Sequence, residues 1–257
     1  MGLPQGAVVD APALRDLRAS LLARRRLRGR RFCEQYADAI DAWLPEVFGL
    51  AARTARLGDA TGVALVAVGG YGRRELCPSS DLDLVLVHDN VKRIDAVADA
   101  IWYPIWDAGL QIDHSVRTPR ETAAVVDSDI KSALSLLSGR VVAGDAAFGA
   151  RVVAEARERW TARPHDSLRR LRAACEERWE HHGELAFLLE PDVKLSRGGL
   201  RDAELLGAAA RAAPPVEALL DDPRLERATG DLLDARVALH ATTGRRGDRL
   251  LLEDQDA

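Results

Sequence analysis

Two carboxylates separated by one residue, Asp81 and Asp83, lie in a run of strand-forming residues from Val63 to Asp89. In an extended chain, residues i and i+2 point to the same face, so the two carboxylates would share one side of a strand. Leu82 and Leu84 to Val87 are apolar, which predicts that this strand is buried. Adjacent carboxylates at a buried strand end lose hydration and repel each other, and a cation relieves both costs. Carboxylate oxygens are hard ligands that suit Mg2+. Upstream, Gly69 and Gly70 allow close approach of the backbone to a ligand and offer N–H groups to phosphate. The chemistry this points to is metal-assisted reaction at a phosphate. Taken alone, an Asp-x-Asp pair is more often a surface turn after a Gly-rich hairpin. The glycine pair ten residues before Asp81, with an apolar run on either side, favours the catalytic reading.

The elements that must position these residues follow from the pattern around them. Val63 to Val68 reads as a first buried strand and Leu82 to Val87 as a second. Ile94 to Trp106 reads as a helix, and Gly109 opens a third candidate strand over Leu110 to Val116. There Leu110, Ile112 and His114 alternate with Gln111, Asp113, Ser115 and Arg117, so one face is polar. If this strand lies beside that of Asp81 and Asp83, Asp113 supplies a third carboxylate. Arg117 could hold phosphate or pair a carboxylate, and the residues alone leave both open. The spacing Val68-Gly69-Gly70, ten residues, Asp81-Leu82-Asp83-Leu84 resembles the signature of the polymerase-β-like nucleotidyltransferase superfamily.

Composition sets outer limits. The chain has 257 residues, enough for one or two domains with a sizeable core. Its 30% charged and 47% hydrophobic residues are an ordinary globular balance, and a net charge of −4 gives no basic field for nucleic acid. Only Lys92, Lys131 and Lys194 are lysines. Cys33, Cys77 and Cys175 have no metal-ligand spacing and read as reduced thiols of a cytoplasmic protein. No apolar run reaches membrane-spanning length, and no signal peptide is expected, because the N-terminus turns arginine-rich where an apolar segment would be needed.

Outside the central stretch the chain reads as helical. Residues 1–10 form a small Pro/Gly-containing tail. Leu14, Leu17, Leu21 and Leu22, then Ile40, Trp43, Leu44 and Val47, repeat at helical spacing between Ala13 and Leu57. Arg24 to Arg31 is read as the solvated face of a helix. Thr118-Pro119-Arg120-Glu121 is a capping box with Pro at the first helical position, and from there the pattern is helical to the end. Helices are expected over Asp129 to Leu137, from Gly144-Asp145 to Pro164, and from a cap at Asp166 towards Leu189. One later loop is rich in charge and glycine: Leu189-Glu190-Pro191-Asp192-Val193-Lys194-Leu195-Ser196-Arg197-Gly198-Gly199-Leu200-Arg201-Asp202. Such a loop is either structural or in contact with substrate, and the residues alone leave both open. The doublets His88-Asp89 and His165-Asp166 lack the further ligands that phosphohydrolase chemistry needs and read as incidental.

Several of these segments together resemble the bacterial PII-protein uridylyltransferase/uridylyl-removing enzyme family. The resemblance rests on Gly69 to Leu76, Pro78-x-Ser80-Asp81-Leu82-Asp83-Leu84, Trp106-Asp107-x-Gly109-Leu110 and His114 to Thr118. It continues through Leu189-Glu190-Pro191-Asp192-x-Lys194, Gly198 to Asp202, Arg236-x-Ala238-Leu239-His240 and Gly244-Arg245-Arg246-x-Asp248-Arg249-Leu250, and so covers about residues 14–257. It implies an α+β fold: a polymerase-β-like nucleotidyltransferase core, a small mixed sheet with helices, followed by an all-helical domain. The expected divisions are 1–57 for a tail and helices packing on the core, 58–145 for the nucleotidyltransferase domain, and 146–257 for a helical substrate-binding domain. The family's uridylyl-removing and ligand-sensing modules would lie beyond residue 257, so the chain is expected to be the front of a longer protein, cut inside its helical region.

The implied activity is transfer of UMP or AMP from UTP or ATP to a tyrosine of the PII signal protein, with Mg2+ as cofactor and no nucleic acid or membrane as partner. Asp81, Asp83 and Asp113 would be catalytic and metal-binding. Gly69, Gly70, Arg73, Ser80 and Arg117 would hold the nucleotide, and Lys194, Gly198, Gly199, Arg201 and Asp202 would form a substrate loop. Many relatives carry Gly at the position of Asp113, so that residue rests on strand alternation. Two rival readings are adenylyl transfer to glutamine synthetase by a related family, and a catalytically silent regulatory module.

Overall fold

The computed structural model describes residues 11–24 and 27–255. The expected tail over residues 1–10, and Arg25 and Arg26 of the arginine run, lie outside the described residues. The single helical stretch expected before the first strand is two helices, α1 (Ala11–Leu22) and α2 (Gly29–Thr54). Arg24, Arg28, Arg30 and Arg31 are exposed, but Arg24 and Arg28 lie between α1 and α2, so the run is not the face of one helix.

Four strands follow, interleaved with helices: β1 (Val63–Ala67), the one-turn α3 (Gly69–Gly72), β2 (Leu82–His88), α4 (Ile94–Asp107), β3 (Ile112–Arg117), α5 (Pro119–Ser128), α6 (Ile130–Leu137) and β4 (Arg140–Gly144). The sheet order is β3-β2-β1-β4. β1 pairs antiparallel with both β2 and β4, and β2 pairs parallel with β3. The capping box at Thr118 forms as expected, with Glu121 N–H donating to Thr118 Oγ1 and Thr118 N–H to Glu121 Oε2. The fourth strand corrects the expectation of helix from residue 118 onward. Arg140-Val141-Val142-Ala143-Gly144 is only five residues, too short to show a period, but Val141 and Val142 favour a pleated surface. At Gly144 (φ +85°) a Cβ would lie 2.4 Å from Val63 O, so only glycine lets β4 end against β1.

Alternation along the strands divides the core into two. Val63, Leu65, Ala67, Leu82, Leu84 and Leu86 face α2 and α4, packing with Phe32, Ile40, Leu44, Ile101 and Ile105. Ala64, Val66, Val85 and Val87 face the other way, onto Leu134, Leu137, Phe148, Val152 and Val153. Those last residues belong to α6 and to α7 (Ala146–Thr161). Past α7 come α8 (Pro164–His182), α9 (Leu200–Ala212) and α10 (Pro223–Thr243), with short 3-10 turns at Leu185–Phe187, Pro214–Leu219 and Leu252–Asp254. Pro164, not a cap at Asp166, opens α8: Arg163 is the N-cap residue and Asp166 pairs instead with Arg169.

Beyond residue 145 the described residues form helices and turns, yet these close over the same cores as the sheet. Gly149 of α7 sits so near β1 that a Cβ would lie 2.8 Å from the Ala64 Cβ. Trp160 of α7 donates from Nε1 to Ala208 O of α9 at 2.9 Å, and α10 returns Leu233 and Val237 to the α2 side. No core boundary therefore coincides with residues 145 and 146. Cys33 and Cys77 are buried with their sulfurs 3.6 Å apart, a contact that sequence spacing does not reveal. Among the described residues no helix is long and apolar enough to cross a membrane.

Candidate active site

β1 runs out at Ala67, and the chain turns at once into α3. The turn needs glycine in two places. Gly69 has φ +56°, and a Cβ there would sit 2.5 Å from Asp83 Oδ2. A Cβ on Gly72 would lie 2.4 Å from Ser138 O and 3.0 Å from Ala67 O. The missing Cβ of Gly69 thus creates the space that the Asp83 carboxylate fills, and Val68 N–H is bonded to Asp83 O at 3.0 Å. Asp83 sits on the face of β2 shared with Val85 and Val87, at the end where the sheet opens into a cleft.

That cleft holds about 830 Å3 and is walled by the start of β2, by α3, and by residues of α6, α8, α9 and α10. Asp81, Asp83 and Asp113 all line it. The parallel register of β2 and β3 sets Asp83 directly opposite Asp113, and paired residues share a face. His114, next along β3, points the other way and packs on Trp102 and Trp106, with ring centroids 4.8 and 5.7 Å away. Burial, then the charge of Asp113, then that of Asp81, push the Asp83 carboxyl up to about 6, opposed by Lys194 and the Gly70 amide. Asp81 has one oxygen, Oδ1, buried without a hydrogen-bond partner, and the other, Oδ2, paired with Arg246.

These features bear on whether a divalent ion would fit. An orphaned, buried carboxylate oxygen and a neighbouring carboxyl that is reluctant to ionise are what a site lacking positive charge would show. Among the described residues no group of three or more His, Cys, Asp or Glu side chains is arranged to hold a metal, so the expected three-carboxylate set is not formed and Asp113 is not kept as a metal ligand. Mg2+ is commonly bound by one or two carboxylates, with substrate phosphates and water completing the shell. The donor set of Asp81 and Asp83 fits that mode and not a closed protein cage.

The remaining expected residues divide. Gly70, Arg73, Ser80, Lys194 and Arg201 line the same cleft. Ser80 Oγ accepts from Cys77 N–H at 3.2 Å, closing the turn before Asp81. Arg73 is committed to Glu75 (2.8 Å) and Glu204 (2.7 Å), which link α3 to α9. Although burial pulls the Arg73 guanidinium down, these two carboxylates more than offset it. Burial lowers the Lys194 ammonium, as does the charge of Arg236, while Asp248, 3.8 Å from Nζ, acts in the opposite sense.

Arg117 is not brought to the carboxylates. It pairs with Val87, four residues along β3 from Asp113, so strand rise carries it roughly 13 Å from that residue. Gly198, Gly199 and Asp202 serve the loop itself. Asp202 accepts from Gly198 N–H (2.6 Å), from Trp179 Nε1 (3.1 Å) and from Arg178. A Cβ on Gly199 would lie within 2.9–3.0 Å of the carbonyl oxygens of Val193, Lys194 and Ser196. Gly199 therefore answers to backbone crowding and Gly198 to its left-handed backbone (φ +87°), while Lys194 and Arg201 line the cleft. His88 and His165 do not line the cleft.

Sequence reasoning assigned no chemistry to a cluster on the opposite wall. Asp248 accepts from Arg236 (2.6 and 3.3 Å) and meets His240 Nε2 at 3.2 Å. Burial raises the Asp248 carboxyl, but His240, Arg236 and Lys194 together hold it well below the usual carboxylate range. The segments Arg236-x-Ala238-Leu239-His240 and Gly244-Arg245-Arg246-x-Asp248 signalled these residues, without saying that they converge.

Comparison with known proteins places this geometry in context. The family described as GlnD PII-uridylyltransferase matches residues 166–257, downstream of the carboxylate pair. Three similar curated proteins are named bifunctional uridylyltransferase/uridylyl-removing enzyme. That of Streptomyces coelicolor is 47% identical over 224 residues, covering 86% of this chain and 26% of the relative. That of Mycobacterium tuberculosis (strain H37Rv) is 38% identical over 235 residues, 87% of this chain and 28% of the relative. That of Corynebacterium glutamicum is 40% identical over 189 residues, 74% of this chain and 26% of the relative. The chain thus spans about a quarter of the length of the curated relatives it matches.

Proposed function

Because this chain belongs to the family of bifunctional uridylyltransferase/uridylyl-removing enzymes, we propose that its cleft transfers a uridylyl group from UTP to a tyrosine of a PII signal protein. The observation that carries this reading is the gathering of three carboxylates in one cleft, Asp83 opposite Asp113 across β2 and β3 and Asp81 just before β2, with an orphaned oxygen on Asp81 and the Asp83 carboxyl pushed up to about 6. Three carboxylates gathered at one end of the cleft suit a nucleoside triphosphate entering with Mg2+.

Asp81 and Asp83 would hold the ion, Asp81 through its partnerless oxygen. A bound divalent ion supplies charge stabilisation at the α-phosphate and orients the phosphates. Gly69 keeps the Asp83 carboxylate in place by leaving room for it, and the cleft face of α3 brings the phosphates close to backbone. Asp113, exposed at the mouth, is placed to take the proton from the tyrosine hydroxyl as its oxygen attacks the α-phosphate and pyrophosphate leaves. Lys194 and Arg201, on the far wall, offer positive charge to the same phosphates.

The test is incorporation of label into purified PII protein from UTP carrying label at either the α- or the γ-phosphate, with Mg2+ or with chelator. Uridylyl transfer predicts incorporation from the α-position alone, and only with Mg2+. Parallel reactions with ATP establish which nucleotide is the donor.

A further inference from the structure

One contact in the cleft is made by a residue with no role in the reading above. Arg246 pairs through Nη2 with Asp81 Oδ2 and donates from Nη1 to Gln111 Oε1 at 3.1 Å. Its guanidinium therefore rests on one of the carboxylates assigned to the divalent ion. The segment that carries it is anchored on both sides. Gly244 ends α10 in a left-handed turn (φ +61°). Asp248 is held by Arg236 and His240, and its carbonyl accepts from Val193 N–H at 2.8 Å. Arg246 lies between these anchors with its side chain 63% exposed, against 17% for Asp81. The backbone is fixed, and the side chain is free to change partner.

Other arginines of the cleft are tied to protein carboxylates away from the trio: Arg73 to Glu75 and Glu204, Arg178 to Asp202, Arg236 to Asp248. Arg246 alone among them is paired to Asp81. A guanidinium and a divalent ion on the same small carboxylate repel each other, so an ion on Asp81 would release Arg246. The anion that arrives with that ion is the polyphosphate, and the planar fork of arginine matches phosphate oxygens two at a time.

Resting on the function proposed above, we infer that Arg246 is a ligand of the nucleotide's phosphates that is parked on Asp81 until metal and nucleotide enter. It serves as a surrogate cation in the ligand-free cleft and passes from carboxylate to phosphate on loading. Two binding measurements should then move in opposite directions when it is removed. The metal alone gains, because its competitor is gone. The metal–nucleotide complex loses, because a charged hydrogen bond to phosphate is missing.

The experiment uses the 257-residue chain and its variants Arg246→Ala and Arg246→Lys. Mn2+ affinity without nucleotide is read by electron paramagnetic resonance, Mg–UTP affinity by calorimetry, and folding by circular dichroism. Arg246→Ala should bind Mn2+ several-fold more tightly and Mg–UTP about tenfold or more weakly. Arg246→Lys, which keeps charge but not the fork, should bind Mn2+ like wild type and still bind Mg–UTP more weakly. Unchanged affinities in Arg246→Ala, or a fall in both, would overturn the inference while wild-type binding of Mg–UTP left the functional reading intact. Failure of the wild-type chain itself to bind Mg–UTP would overturn that reading and this inference with it.

Discussion

Asp83→Asn should make the metal-free protein more stable at neutral pH, even though it removes a residue proposed to be essential. The Asp83 carboxyl is pushed up from 3.8 to about 6, by burial first and then by Asp113 and Asp81. A folded-state value raised above the unfolded one means that the folded protein binds the proton more tightly. Stability then falls as pH rises from about 4 to about 6, and stays at the lower level above that window. That displacement corresponds to at most about 3 kcal/mol, and solvent at the cleft mouth screens it to about 1–2 kcal/mol. Asparagine keeps the shape that fills the space beside Gly69 and can still accept from the Gly70 amide, but it carries no charge. In chelator at pH 7.5 the variant should be more stable by about 1–2 kcal/mol, or roughly 2–8 °C in Tm for a chain of this size. The advantage should shrink towards zero at pH 4. Urea unfolding followed by circular dichroism at both pH values reads the difference directly. A variant less stable than wild type at pH 7.5, or a difference independent of pH, would show that Asp83 is not held in a repulsive, desolvated position.

Further substitutions test individual parts of the site. Asp113→Ala should lower kcat by about two orders of magnitude or more with much less change in the KM for nucleotide, because a proton acceptor acts mainly in the transition state; steady-state kinetics with PII in excess separate the two. Gly69→Ala must place a Cβ 2.5 Å from Asp83 Oδ2 at φ +56°, so it should cost about 1–2 kcal/mol of stability and most of the activity, read by thermal melts and turnover together. Gly199→Val should lower Tm, because its side chain enters a ring of three carbonyl oxygens at 2.9–3.0 Å; a variant with unaltered stability and lost transfer would return this glycine to the substrate loop.

The central strands were legible because their signals are local. Val63 to Val68 and Leu82 to Val87 are apolar runs bounded by turn residues, and alternation along residues 110–117 placed Asp113 and His114 on opposite faces, where they are found. Most of the expected site residues that line the cleft lie on these strands or in the turns beside them, and Lys194 and Arg201 join them from the charged loop and the start of α9. Arg117 was misplaced by the same alternation: it shares the face of Asp113, but face alone says nothing of distance along a strand. β4 stayed hidden because a five-residue strand that follows Gly139 and ends on Gly144 carries no period, and its pairing with β1 is fixed across more than seventy residues of chain. The charged loop at residues 189–202 was recognised as unusual, but whether its glycines serve a ligand or the backbone depends on the carbonyls around Gly199. The contacts of Asp248 with Arg236 and His240 fold the segment after α10 back onto that helix, and the contact of Arg246 with Asp81 brings it to the start of β2, a convergence that only the fold supplies.

The most direct measurement is tandem mass spectrometry of a PII protein incubated with this chain, Mg2+ and UTP, set beside the same reaction with Asp81→Asn. The account predicts one uridylyl group on a tyrosine of each modified PII chain with the wild-type protein and none with the variant, both proteins being equally folded by circular dichroism. Equal modification by Asp81→Asn, or no modification by a wild-type chain that binds Mg–UTP, would contradict it.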